Sequence, residues 1–207
     1  DGKLATFDGD DSDVFGSDLR GTGWHHVAVS HNGTRDSVYL DGEYQVNANF
    51  LSNVSTFAAN NLWSIGQEYD SGPSPGDYFK GQIDEVRIWK GVRTIQEIRE
   101  RMHLTFSRSE VIALPNLTAY YQFDNDGAAN TADGVKDILG SHGTTVGGSY
   151  LPSQVAVGEG ISTTRTINAS GTYPFANTDV ELTFPSTIPG DDMVVTKIIS
   201  EKVLSSS

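Results

Sequence analysis

Phe79-Lys80-Gly81-Gln82-Ile83-Asp84-Glu85-Val86-Arg87-Ile88-Trp89 is the stretch that decides the fold. Side chains along a strand alternate between faces, so Asp84, Val86 and Ile88 fall on one side and Glu85, Arg87 and Trp89 on the other. Read this way, 78–91 contains one long strand. The alternation stops at Thr94. Thr94-Ile95-Gln96-Glu97 is a capping box, in which a hydroxyl and a carboxylate satisfy the free amides of a helix start. Ile95, Ile98 and Met102 follow at spacings of three and four, which predicts a short helix over 95–103 with one apolar face. No other segment reads as a helix.

Toward the N-terminus the pattern is strands and tight turns. Residues 24–30 (WHHVAVS) are rich in β-branched and aromatic side chains and read as a strand. Asn32-Gly33 is a turn dipeptide, and 37–40 (SVYL) reads as the next strand. Asp41-Gly42 signals a type I′ hairpin whose return strand is YQVN at 44–47. LWSIG at 62–66 and KLATFD at 3–8 complete the set, the latter running into an acidic turn from Asp8 to Asp13. Toward the C-terminus, 117–124 (LTAYYQFD) places Ala119, Tyr121 and Phe123 opposite Tyr120 and Gln122. Gly and Pro then cluster between Gly147 and Gly160 and periodicity is lost, which predicts a domain boundary. Beyond it STTRTI, GTYPF, VELTF and MVVTKII are four short strand candidates. The expected organisation is one β domain over 1–150, then a linker and the start of a second small β module over 151–207.

Composition narrows the classes. The chain has 207 residues, 22 of them Gly, a hydrophobic share of 37% and a net charge of −13. An acidic chain repels phosphate backbones, so nucleic acid is not an expected partner. No run approaches the roughly 18 apolar residues that span a bilayer, so membrane insertion is not expected either. Cysteine is absent, which excludes the small disulfide-stapled class. The sequence opens on Asp1 with polar residues and reads as the interior of a longer polypeptide.

Gly23-Trp24-His25-His26-Val27-Ala28-Val29, then Val38-Tyr39-Leu40-Asp41-Gly42, Ile65-Gly66 and Phe79 to Trp89 together resemble the laminin-G-like, concanavalin-A-like family, in the branch found in bacterial surface proteins. The resemblance covers 1–105, and 117–150 resemble the segment that follows in such proteins. The C-terminal GTYPFANTDVELTF is similar to small β repeats of secreted Bacteroidetes proteins. The resemblance implies an antiparallel β-sandwich of jelly-roll type with one short helix, on the surface of a cell or secreted. It implies a binding module for glycan or protein, attached to neighbouring domains of the same parent. A purely structural module of a surface filament is the alternative, and an accessory domain of a glycan-active enzyme a more distant one. The family has further strands before the one that resembles residues 2–7, so an uncovered sheet edge is expected here.

Each candidate site competes with a plainer reading. His25 and His26, adjacent on a strand, point to opposite faces and do not chelate one ion together. Retaining glucanases of this fold use carboxylates at alternate strand positions, which share a face. Asp84 and Glu85 are neighbours instead, no E-x-D-x-x-E occurs, and Asp84 is expected to accept from nearby backbone amides. No catalytic residue is assigned. The loop Asp8-Gly9-Asp10-Asp11-Ser12-Asp13 lacks the Gly and Glu of an EF-hand at its sixth and twelfth positions, which hold Asp13 and Leu19. The family resemblance nevertheless implies a rim site for Ca2+ at Asp10, Asp11 or Asp13 with Asn60; a solvated acidic turn is the plain alternative. Trp63, Tyr69 and Tyr78 are the candidate ligand-binding residues, because aromatic faces suit the C–H face of a sugar. Four N-x-[ST] tripeptides, at Asn32, Asn53, Asn116 and Asn168, are common by chance in such a composition.

Overall fold

The computed structural model describes residues 2–7, 12–48, 64–67, 76–123, 135–136, 138, 143–144, 158–185 and 191–201. They form an all-β, antiparallel sandwich joined to a small β module, with two short helices. No helix among them is long and apolar enough to cross a membrane.

The first sandwich elements are β1 (Leu4–Phe7) and β2 (Ser12–Phe15), paired with Leu4 opposite Phe15. The acidic run had been read as turn through Asp13, but Asp13 lies in β2 opposite Thr6. What overrides its turn preference is Phe15, which is buried against Val38 with Leu4 beside it. β3 (Val27–His31), β4 (Asp36–Leu40) and β5 (Glu43–Ala48) make a three-stranded meander. Asp41 and Gly42 both have positive φ, 51° and 75°, the signature of the expected type I′ turn. Gly42 has a second constraint: a Cβ there would sit 2.9 Å from Arg99 Cγ.

β6 (Val86–Trp89) pairs with β7 (Leu117–Tyr121), Val86 opposite Tyr121 and Ile88 opposite Ala119. The two faces of this pair each bury a cluster. Val86, Ile88, Ala119, Tyr121, Phe123 and Ile65 make one; Tyr120, Leu117, Leu104, Phe106, Val111 and Trp89 make the other. The separation of Ala119, Tyr121 and Phe123 from Tyr120 read from the sequence is present, but the strand expected over 117–124 ends at Tyr121, with Phe123 at a left-handed φ of 52°. The long strand expected in 78–91 is cut to four residues, because Glu85 takes a left-handed φ of 53°. The 24–30 strand likewise begins only at Val27, and of 62–66 the described residues, Ser64 to Gly66, are not strand.

Helix α1 (Ile95–Arg101) starts as predicted, with Thr94 and Glu97 closing both bonds of the capping box. Ile98 is its buried residue. Arg99 reaches back to the meander, its Nε donating to the Gly42 carbonyl at 2.9 Å and its guanidinium pairing with Glu43 at 2.7 Å. A second helix, α2 (Arg108–Ala113), was not anticipated. Its signal is the same one: Ser107-Arg-Ser-Glu110 is a capping box, with Val111 its buried residue. The helix is so short that no apolar periodicity accompanies the cap.

The two-residue β8 (Val135–Lys136) and β9 (Gly143–Thr144) pair with each other. The last module is made of β10 (Gly158–Ile167), β11 (Gly171–Phe175), β12 (Val180–Phe184) and β13 (Asp191–Glu201). β10 pairs with β13 and β11 with β12. All four strand candidates read from the sequence are present. Helix α1 packs against β10 and β13, and Thr164 donates its hydroxyl to Glu100 at 2.6 Å.

Among the described residues β3 pairs only with β4. Residues directly opposite on paired strands share a face, so Val27 and Val29 lie on the face where Val38 is buried. Yet Val27 and Val29 are 46% and 55% exposed, against 2% for Val38. Among the described residues, then, nothing pairs with the other side of β3, and Val27 and Val29 on it are exposed.

Candidate functional site

The exposed aromatic surface lies just before β6. Tyr78 and Phe79 are 62% and 59% exposed, and Ile83, further along the same loop, is 36% exposed. Burying aromatic carbon in water-free contact is favourable, so leaving two adjacent rings in solvent needs something to hold them out. The Phe79 amide donates to the Gly66 carbonyl at 2.8 Å, which ties this loop to the bend at Ser64–Gln67. Ser64 closes that bend through its hydroxyl, which donates to the Gln67 carbonyl at 2.5 Å. The Phe79 ring lies over Gly81, in the space a Cβ would take. Ile83 reaches toward Gly66, its Cδ1 in van der Waals range of a Cβ placed there. Within 78–83 the chain thus exposes three apolar side chains on a loop anchored by a backbone hydrogen bond, a candidate platform.

Of the three aromatic candidates, Tyr78 is on this platform; Trp63 and Tyr69 lie outside the described residues. Phe79 and Ile83 are exposed in the same loop and are not among the candidates read from the sequence. A strand reading of 78–91 assigned them to faces of a sheet, whereas they belong to a loop; Gly81 between them was the available signal. The candidate calcium ligands Asp10, Asp11 and Asn60 lie outside the described residues, and of Asp13 only the backbone pairing to Thr6 is described. Among the described residues no group of three or more His, Asp or Glu is placed to hold a metal ion.

The two histidines separate, though not by strand alternation, since both precede β3. His25 Nδ1 meets Asp41 Oδ2 at 2.7 Å and its Nε2 meets the Thr22 hydroxyl at 2.8 Å. The same Asp41 carboxylate accepts the His26 backbone amide at 2.9 Å. Partial burial pulls the Asp41 pKa upward, but the bonds from His25 and the His26 amide outweigh it, and the net shift is down. The His26 ring is the buried one. Its Nδ1 has no hydrogen-bond partner. Burial first, then the nearby Arg87 and His103, push its pKa down from 6.5 to about 4, so at neutral pH the ring is uncharged.

Asp84 and Glu85 each make structural bonds. Asp84 Oδ1 accepts the Glu85 amide at 2.9 Å, as expected. Glu85 turns inward. Its carboxylate accepts from Arg87 at 2.8 Å, from the Thr105 hydroxyl at 3.1 Å and from the Tyr120 hydroxyl. The Arg87 guanidinium lies 4.6 Å from the Phe106 ring centre and 5.0 Å from that of Tyr120. It also donates to the Arg101 carbonyl at 2.7 Å and to that of Leu104. Burial pushes the Tyr120 hydroxyl pKa up, so it stays protonated and donating. The Glu85 carboxylate and the two terminal nitrogens of Arg87 are all bonded, while the buried Arg87 Nε has no hydrogen-bond partner among the described residues; the bonds make the cluster a clamp between β6, β7 and the end of α1.

Residues 4–99 match the family model of the concanavalin A-like lectin/glucanases superfamily, in its third laminin-G group. The match takes in β1 through β6 and most of α1, and with them the platform and the His25–Asp41 contact. The chain beyond residue 99 lies outside it. No curated protein matches the chain, and no solved structure does.

Proposed function

We propose that the chain is a non-catalytic module of a secreted or cell-surface protein that binds glycan or protein through its rim loops. The observation that carries this is the platform of Tyr78, Phe79 and Ile83, two rings and an aliphatic side chain held in solvent by a hydrogen-bonded loop. An aromatic face offers the C–H side of a pyranose both dispersion and electrostatic attraction, and it needs no charge to do so. The similarity of 4–99 to a superfamily of lectins and glucanases supports a sugar-directed reading. The one buried acid near a catalytic-looking motif, Glu85, is saturated with partners, which favours binding over hydrolysis. Trp63 and Tyr69 are further ligand-binding candidates in this reading, and calcium held by Asp10, Asp11, Asp13 and Asn60 is its metal.

The exposed Val27 and Val29 on β3, which pairs only with β4 among the described residues, favour a second reading, a structural module whose neighbours in a multidomain surface protein cover them. A glycan-array screen, with and without a chelator, separates the two. Binding to one sugar class that is lost in Tyr78→Ala and Phe79→Ala supports the first. No sugar bound under any condition, by a protein shown to be folded, overturns it in favour of the second.

A further inference from the structure

Asn32-Gly33 does more than turn the chain between β3 and β4. We propose that Asn32 is a site of spontaneous covalent modification, converting through a cyclic imide with Gly33 to aspartate and isoaspartate. The hairpin is built around its side chain. Asn32 Oδ1 accepts the Thr34 amide at 2.9 Å and the Arg35 amide at 2.9 Å, while the Asn32 amide donates to the Arg35 carbonyl at 3.1 Å. Two N–H groups aimed at one carbonyl oxygen polarise its carbon and stabilise the oxyanion that forms when a nucleophile adds there. The nucleophile is the next residue's own nitrogen. Gly33 brings no side chain into the approach, and nothing lies within 4 Å of the place its Cβ would occupy. Among the described residues no acceptor takes the Gly33 N–H, so hydroxide has access to its proton. Both residues are exposed.

The step balances with water as the co-reactant. Hydroxide removes the Gly33 amide proton, and the nitrogen attacks Asn32 Cγ. The Cγ–Nδ2 bond breaks and ammonia leaves, closing the five-membered imide. Water then opens the ring at Cγ or at the main-chain carbonyl. Opening at the main-chain carbonyl gives isoaspartate, in which the backbone runs through Cβ. Opening at Cγ gives aspartate, whose carboxylate still accepts the Thr34 and Arg35 amides, so the hairpin survives. The extra backbone atom of isoaspartate shifts the pairing next to His31–Asp36, whose side chains meet at 2.8 Å.

The sequence supplies a clean test. Cleavage after Arg20 and Arg35 releases residues 21–35, in which Asn32 is the only side-chain amide. Intact folded protein is incubated at mildly alkaline pH, digested, and compared with a synthetic peptide of the same residues. The expected result is a gain of one dalton in 21–35 of the folded protein, rising with hydroxide and at least as fast as in the peptide. Part of the product is labelled by an isoaspartyl methyltransferase, and Asn32→Gln abolishes the gain. Folded protein that keeps Asn32 intact while the free peptide converts would overturn the proposal, because the hairpin would then protect the amide.

Discussion

His26 makes the stability of this domain depend on pH. Its ring is partly buried, its pKa is lowered to about 4, and it lies near Arg87 and His103, with Asp41 the opposing anion. In the unfolded chain the same ring titrates at 6.5. As pH falls below 6.5 the unfolded state takes up a proton and the folded state does not, so acidification favours unfolding. The loss continues until the folded ring protonates near 4. Each pKa unit between the two states is worth about 1.4 kcal/mol. The full gap is therefore worth about 3 kcal/mol, of which about 2 kcal/mol is lost between roughly pH 7.5 and pH 5. Urea unfolding followed by tryptophan fluorescence at the two pH values measures this, in wild type and in His26→Phe. The variant is expected to lose the His26 part of the pH dependence and to keep the rest. If its midpoint falls with acid as steeply as the wild type's, the reasoning fails. An NMR titration of the His26 ring gives an independent check: a midpoint near 6.5 would refute the burial argument even if the variant did not fold.

Three further outcomes follow from the same contacts. Glu85→Ala strands Arg87 in the clamp and is expected to cost about 3–5 kcal/mol in urea, whereas Tyr120→Phe, which removes only one hydroxyl, costs about 1–2 kcal/mol. Thr94→Ala and Ser107→Ala each remove a helix cap and are expected to lower stability by about 1 kcal/mol, additively because the two caps share no partner. Calcium, in the proposed rim site, should raise the melting temperature by mass action in wild type but not after Asp10→Ala, Asp11→Ala and Asp13→Ala; an unchanged wild-type melting curve would leave only a solvated acidic turn.

What was legible in the sequence was what local chemistry decides. The Asp41-Gly42 turn, the Thr94 cap and the alternation within 117–121 each depend on neighbours in the chain, and each is present. The four C-terminal strands were legible for the same reason. The failures share a cause in tertiary context. Phe15 pulls an acidic segment into β2 because Val38 waits to bury it, and no local pattern says so. Glu85 breaks the long strand by leaving β geometry, and its gain is a set of partners on β7 and on the segment after α1. That break also puts Phe79 and Ile83 in a loop rather than in a strand. Tyr78 was chosen as an exposed aromatic, but Phe79 and Ile83 were counted as strand residues and so hidden.

The most direct test of the binding reading is an amide-resonance map of the labelled protein titrated with the sugar class selected on the array. The account predicts that shifts concentrate at Tyr78, Phe79, Ile83 and Gly66, and that Phe79→Ala removes them without lowering the urea midpoint. Shifts confined to β3 around Val27 and Val29, with Tyr78 and Phe79 silent, would contradict it.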